Sequence, residues 1–231
     1  MAADSQCTRC GTCCRNGGPA LHQLDRETVV NGFIGPHQMI TIRKGEPVIN
    51  PITGALAYYE TDFIKIRGRD ASWTCLFWQD DEGCGIYSNR PQECSLLFCR
   101  NPGPVTEIMG RNFLTVRDLI PPDEKILTYL ERLEHECGYP EVFNLIQKLN
   151  TSDDHNNISA QLTHLLQKDI SIRSDFYDTY STISNWELFI LGRPLFKVLA
   201  PMGYRIHQGE NGPSFSKDSD SDLNISHSDP E

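Results

Sequence analysis

The apolar positions of this chain change rhythm near its middle. From about residue 106 they recur at helical spacing, so that half is predicted to be helical. Pro121-Pro122-Asp123 reads as a helix start, because proline suits a first turn and a carboxylate favours the N-terminal end. Ile126, Leu127, Leu130, Leu133 and Cys137 then share one helical face, and Gly138 and Pro140 stop that helix. Val142, Phe143, Ile146 and Leu149 keep the period, as do Ile158, Leu162, Leu165 and Leu166. Ser184 and Glu187 have capping-box spacing ahead of Leu188, Phe189 and Leu191, with Gly192 and Pro194 beyond. These stripes are expected to pack on one another and on the N-terminal part.

The first 105 residues have no long helical period. One short helix is expected after Asp25 as its cap, with Val29, Val30 and Phe33 on its apolar side. "MITIRKGEPVIN" predicts a hairpin: Met39, Ile40 and Ile42, a turn at Lys44-Gly45-Glu46-Pro47, then Val48 and Ile49. "DFIKIRG" reads as a strand, and "TCLFWQDDEGCGIY" as strand, acidic glycine-containing turn, strand. The expected fold class is α+β: a small, loop-rich, metal-stabilised N-terminal part with short strands, a helical part, and a disordered acidic tail. The expected divisions are 1–105, 106–208 and 209–231.

Charge supports the last division. Of the 231 residues, 21 are Lys or Arg and 31 Asp or Glu, a net charge of −10. Residues 209–231 hold one basic and six acidic side chains, half of that net charge, in a Ser/Asp/Gly-rich run. An acidic chain repels phosphate backbones and anionic lipid, so neither nucleic acid nor membrane is an expected partner. No run approaches the roughly 20 apolar residues of a membrane helix. MAADSQC has neither a basic n-region nor an apolar h-region, so no secretory signal is expected and a cytoplasmic location is.

That compartment changes the meaning of the nine cysteines. Cytosolic thiols stay reduced, and an odd count cannot pair fully, so metal binding or catalysis outranks a disulfide framework. Cys7, Cys10, Cys13 and Cys14 form C-x2-C-x2-C-C; Cys75, Cys84, Cys94 and Cys99 follow after a long gap. Two residues between cysteines let one tight turn aim two sulfurs at one point, with backbone N–H groups facing them. The Cys13-Cys14 doublet differs, since neighbouring side chains diverge. It points to two metal centres, or to one ligand and one nearby redox thiol. The polar residues between these thiols leave no apolar pattern to bury. Cys137 instead extends the Leu130–Leu133 stripe and reads as a core residue. Arg9, Arg15, Arg90 and Arg100 lie near the cysteines, as charges that offset thiolates or as ordinary surface charges. His22 and His37 are candidate nitrogen ligands or proton relays, with surface loop positions as the plainer reading. Glu93 reads as solvated.

"CTRCGTCC", "WTCLFW", "GCGIYSNRPQEC" and "LLFC", in this order, resemble the CxxCxxCC cysteine-cluster family, the YkgJ type, described as zinc- or iron-chelating. Its I-Y-x-x-R-P-x-x-C element matches Ile86, Tyr87, Arg90, Pro91 and Cys94. Phe98 and Ser95 depart from the proline and arginine that members often carry there. The resemblance covers about residues 7–100 and implies that the eight cysteines form one shared metal site. A flagellin lysine methylase among the relatives makes cluster-linked group transfer one implication.

Nucleotide-binding glycine loops, HExxH and GxSxG are absent, so no catalytic residue is assigned. The leading expectation is an iron–sulfur cluster, 4Fe–4S in type. A structural Zn2+ module whose helical region binds a partner protein, and a cluster-dependent redox or methylase-like enzyme, are the alternatives.

Overall fold

The computed structural model describes residues 7–50, 53–69, 72–209 and 212–217. Its central strands are β1 (Met39–Ile42) and β4 (Phe63–Ile66), paired antiparallel with Met39 opposite Ile66 and Ile42 opposite Phe63. Between them lie β2 (Val48–Ile49) and β3 (Leu56–Ala57), which pair with each other. β5 (Trp78–Gln79) and β6 (Gly83–Cys84) make the hairpin expected around the acidic turn.

The expected β1–β2 hairpin does not form. Its would-be turn is folded inward by Glu46, whose buried carboxylate accepts the backbone N–H of Arg43 at 2.9 Å. Gly45 N–H donates to the Tyr59 carbonyl, so the turn is also tied to the approach to β4. β1 takes β4 as its partner because nearly every side chain of both strands is buried, which requires cover on both faces.

The N-terminal half also contains α1 (Thr12–Arg15), α2 (Arg26–Val30), α3 (Gln92–Leu96), α4 (Gly103–Ile108) and α5 (Val116–Leu119). α2 is shorter than expected, and Val30 and Phe33 are exposed. Asp25 does not cap it through its side chain. Both its oxygens are taken elsewhere, by the N–H groups of His22 (2.8 Å) and Gln92 (2.7 Å).

The helical half follows the apolar period closely. It comprises α6 (Leu127–Glu136), α7 (Tyr139–Leu149), α8 (His155–Thr179), α9 (Glu187–Leu191) and α10 (Leu195–Leu199). α6 starts later than Pro121-Pro122-Asp123 implies. Each proline restricts the residue before it to extended backbone, so 121–126 is spent in turns. Leu130, Leu133 and Cys137 are fully buried, as the stripe requires. The Ser184/Glu187 capping box is absent, because the Glu187 carboxylate binds Arg173 Nη1 and the Tyr177 hydroxyl.

The tail departs from expectation at its start. β7 (Tyr204–Gly209) pairs with β8 (Gly212–Lys217), where an acidic tail was expected from residue 209. Phe215 supplies the reason: its ring is buried, stacks on Tyr204 at 5.1 Å, and its N–H reaches Thr163 of α8. Residues 218–231 lie outside the described residues, and with them the rest of that expectation. None of the described helices is long and apolar enough to cross a membrane.

The two halves share one core. Thr41 of β1 donates its hydroxyl to the Phe189 carbonyl of α9. A buried ionic group lies beside that contact. Arg193 pairs with Glu46, Arg173 with Asp169 and Glu187, and Arg43 caps the Leu133 and Cys137 carbonyls.

Candidate metal centre

Four separate segments carry the thiols. The first is the loop at Cys7–Cys14, where Arg9 (φ 55) and Gly11 (φ 79) are both left-handed. Those reversals wind the loop tightly, and the Arg9 N–H faces Cys7 Sγ at 3.4 Å. Gly11 is required there. A Cβ on it would fall 2.2 Å from the Trp78 ring, against which the loop rests. Gly18 is held as closely, against the Ile66 backbone.

The second segment follows β4. Cys75 N–H donates to the Cys14 carbonyl at 2.7 Å, which fixes the second cysteine group on the first. The β5–β6 hairpin brings Cys84 opposite Trp78. α3 then presents Cys94, and Cys99 sits at the turn between Phe98 and Asn101. α3 is anchored at its start: Gln92 N–H on Asp25, and Glu93 on both the Ala20 N–H (2.9 Å) and His22 Nε2 (3.2 Å).

The thiols feel one another. Burial raises the pKa of Cys13, with the charges of Cys99 and Cys7 adding to it. Burial, then the Cys13 charge, pushes Cys14 up to about 12, with Cys75 and Cys84 contributing. Burial also raises Cys75, and it raises Cys94 well above the usual thiol range, with Cys75, Cys13, Cys14 and Cys84 repelling its thiolate. Cys13, Cys14, Cys75, Cys84 and Cys94 are thus electrostatic neighbours, and Cys7 and Cys99 act on Cys13. Cys10 is exposed beside Thr12, whose hydroxyl hydrogen bond lowers its pKa. Cys137 lies apart, buried in the helical core, where burial lifts its thiol to about 11.

Among the described residues no three Cys, His, Asp or Glu side chains meet at a ready-made ion site. One pair does approach: Cys13 and Cys14 Sγ are 3.9 Å apart. Tetrahedral zinc with sulfur at about 2.3 Å separates its sulfurs by about 3.8 Å. The doublet's side chains therefore do not diverge as neighbouring residues were expected to. The gathered donors are soft thiols, which select zinc or iron rather than magnesium or calcium. A bound cation would offset the burial and the mutual repulsion that raise Cys13, Cys14, Cys75 and Cys94. The donor set therefore fits a thiophilic metal.

Residues 6–108 match the CxxCxxCC family model, described as "Putative zinc- or iron-chelating domain". The match covers 103 of the 231 residues and shows this stretch to be similar to that family's domain. No curated protein matches the chain, and no solved structure does. The match ends within α4, so the helical half lies outside it.

Several residues around this domain escape a reading of the sequence. His22 is 2 % exposed and is no surface residue. Its Nδ1 meets the Arg111 carbonyl at 2.8 Å and its Nε2 meets Glu93 at 3.2 Å, an arrangement that favours the charged imidazole. Glu93 is correspondingly half-buried rather than solvated. His37 is exposed and away from the thiols' hydrogen bonds. Arg9 and Arg90 stack on the Tyr87 ring at 3.9 and 4.2 Å, joining the cysteine loop to the segment before Cys94. Arg15 lies over Trp78 and, like Arg100, is exposed.

Proposed function

We propose that the chain is a cytoplasmic metal protein whose thiols hold an iron–sulfur cluster, 4Fe–4S in type. What supports this reading is the C-x2-C-x2-C loop with its remote cysteines, joined where Cys75 N–H donates to the Cys14 carbonyl at 2.7 Å, within a stretch that matches a zinc- or iron-chelating family model. The closely spaced loop supplies several ligands and the remote cysteines complete the set, the arrangement that cluster loops use. Cys7, Cys10, Cys13, Cys14, Cys75, Cys84, Cys94 and Cys99 are the pool from which ligands are drawn. A bound centre would supply redox or Lewis-acid chemistry. The chain's own residues orient the thiols: Gly11 seats the loop on Trp78, and His22, Asp25 and Glu93 hold α3.

Structural zinc is the second reading, favoured by the 3.9 Å Cys13–Cys14 separation. In either case the helical half is the surface for a protein partner, and the net charge of −10 disfavours nucleic acid and anionic membrane. Anaerobic purification with iron, sulfide and zinc analysis and a visible spectrum separates the readings. Iron with sulfide and a brown colour supports the cluster. Stoichiometric zinc without colour replaces it by the second reading.

A further inference from the structure

The segment after the cysteine loop runs along the free edge of β4. Ile66 N–H donates to the Pro19 carbonyl, and Leu21 N–H to the Ile64 carbonyl. Lys65 is bridged to Ala20 in that arrangement. Its ammonium donates to the Gly18 carbonyl at 2.5 Å and lies 3.5 Å from where a Cβ on Gly17 would stand. The residue as a whole is partly exposed, yet this end is enclosed by protein beside Gly17 and Gly18, just after the cysteine loop. Burial lowers its pKa, while Glu93, Cys75 and Cys94 are the negative groups that hold its charge.

The other cations near the thiols are differently placed. Arg15 and Arg100 are exposed, where solvent and salt weaken their field. Arg9 and Arg90 are committed to Tyr87. His22 Nε2 also lies 3.2 Å from Glu93. Among the described residues Lys65 is an enclosed cation that faces Glu93 first and Cys75 and Cys94 after it. Four thiolates around Zn2+, or around an oxidised four-iron cluster, leave about two negative charges. In a partly polar interior such an excess is costly without a nearby counter-charge.

We infer that Lys65 is the charge-compensating residue of the metal centre, its ammonium fixed on the Gly18 carbonyl just after the cysteine loop to offset the charge of bound thiolates. It is a positioning and electrostatic residue, not a ligand. The inference rests on the metal reading proposed above.

The test is a chelator-competition titration of the full chain with zinc alone, under reducing conditions, for wild type, Lys65→Met, Lys65→Gln, Lys65→Arg and Arg100→Met. Metal-free stability is measured on the same proteins. Wild type and Lys65→Arg should bind alike, and Arg100→Met within about twofold of them. The neutral Lys65 variants should bind about tenfold or more weakly, the scale of one lost charge interaction, without a matching loss of metal-free stability. Wild-type affinity in the neutral variants would overturn the inference. So would failure of both neutral variants to fold without metal, since Lys65 would then be structural. Absence of zinc binding by wild type would instead overturn the metal reading.

Discussion

A methyl group on Gly11 would collide with Trp78 and would sit on a backbone angle that side chains avoid. Gly11→Ala is therefore expected to lose about 1–3 kcal/mol of stability and part of its metal, read by urea unfolding and metal analysis. His22 makes a second prediction at this scale. Burial opposes its charge, but the Glu93 hydrogen bond, the Arg111 carbonyl and the charges of Glu93 and Asp25 outweigh that and raise its pKa above 6.5. A raised folded pKa stabilises the protein fully below the unfolded value, and the gain is lost as pH rises through the folded one. As pH rises above about 6.5 the wild type should lose more stability than His22→Gln does. Equal pH slopes in denaturant titrations would remove this role. Neither residue's constraint is written in its neighbours: Gly11 needs Trp78, and His22 needs Glu93, each far along the chain.

At the scale of elements, the helices and the β5–β6 hairpin were legible, and the partner of β1 was not. Leu130, Leu133, Val142 and Leu162 announce their faces because a helix repeats within its own sequence. β1 reads as a strand from its composition, but its choice of β4 over β2 depends on Glu46 finding Arg193 in the other half. β8 was hidden for a related reason. Its polar residues look like tail, and Phe215 is the buried position that ties it to the core. The spacing of Cys7, Cys10 and Cys13 marks the candidate site in the sequence, whereas the placement of Lys65 and Glu93 does not show there, since it is tertiary. Two substitutions follow. Leu130→Ala should cost about 2–5 kcal/mol through the cavity it leaves, and Phe215→Ala about 3–5 kcal/mol through the lost stack on Tyr204 and α8. Both are read as shifts in the denaturant midpoint. A neutral Phe215→Ala would detach the hairpin from the core.

Across the whole molecule, the ionic group of Arg43, Glu46, Asp169, Arg173, Glu187 and Arg193 joins the N-terminal half to the helices. Removing one partner leaves an opposite charge buried, at about 3–5 kcal/mol. Glu46→Ala should therefore lower stability by that order while the protein still melts in a single calorimetric transition. Two separated transitions would show the halves to be independent. The same union gives the metal centre its frame, since β4 carries Lys65 beside Gly18, just after the cysteine loop, while its partner β1 is tied to α9. The central claim is that thiols from four segments close on one bound centre. Native mass spectrometry of the anaerobically purified full chain tests it most directly. The account predicts a mass above that of the bare chain by a metal centre, lost when Cys94 is changed to Ser and kept when Cys137 is changed to Ala. A bare-chain mass with nine free thiols would contradict it.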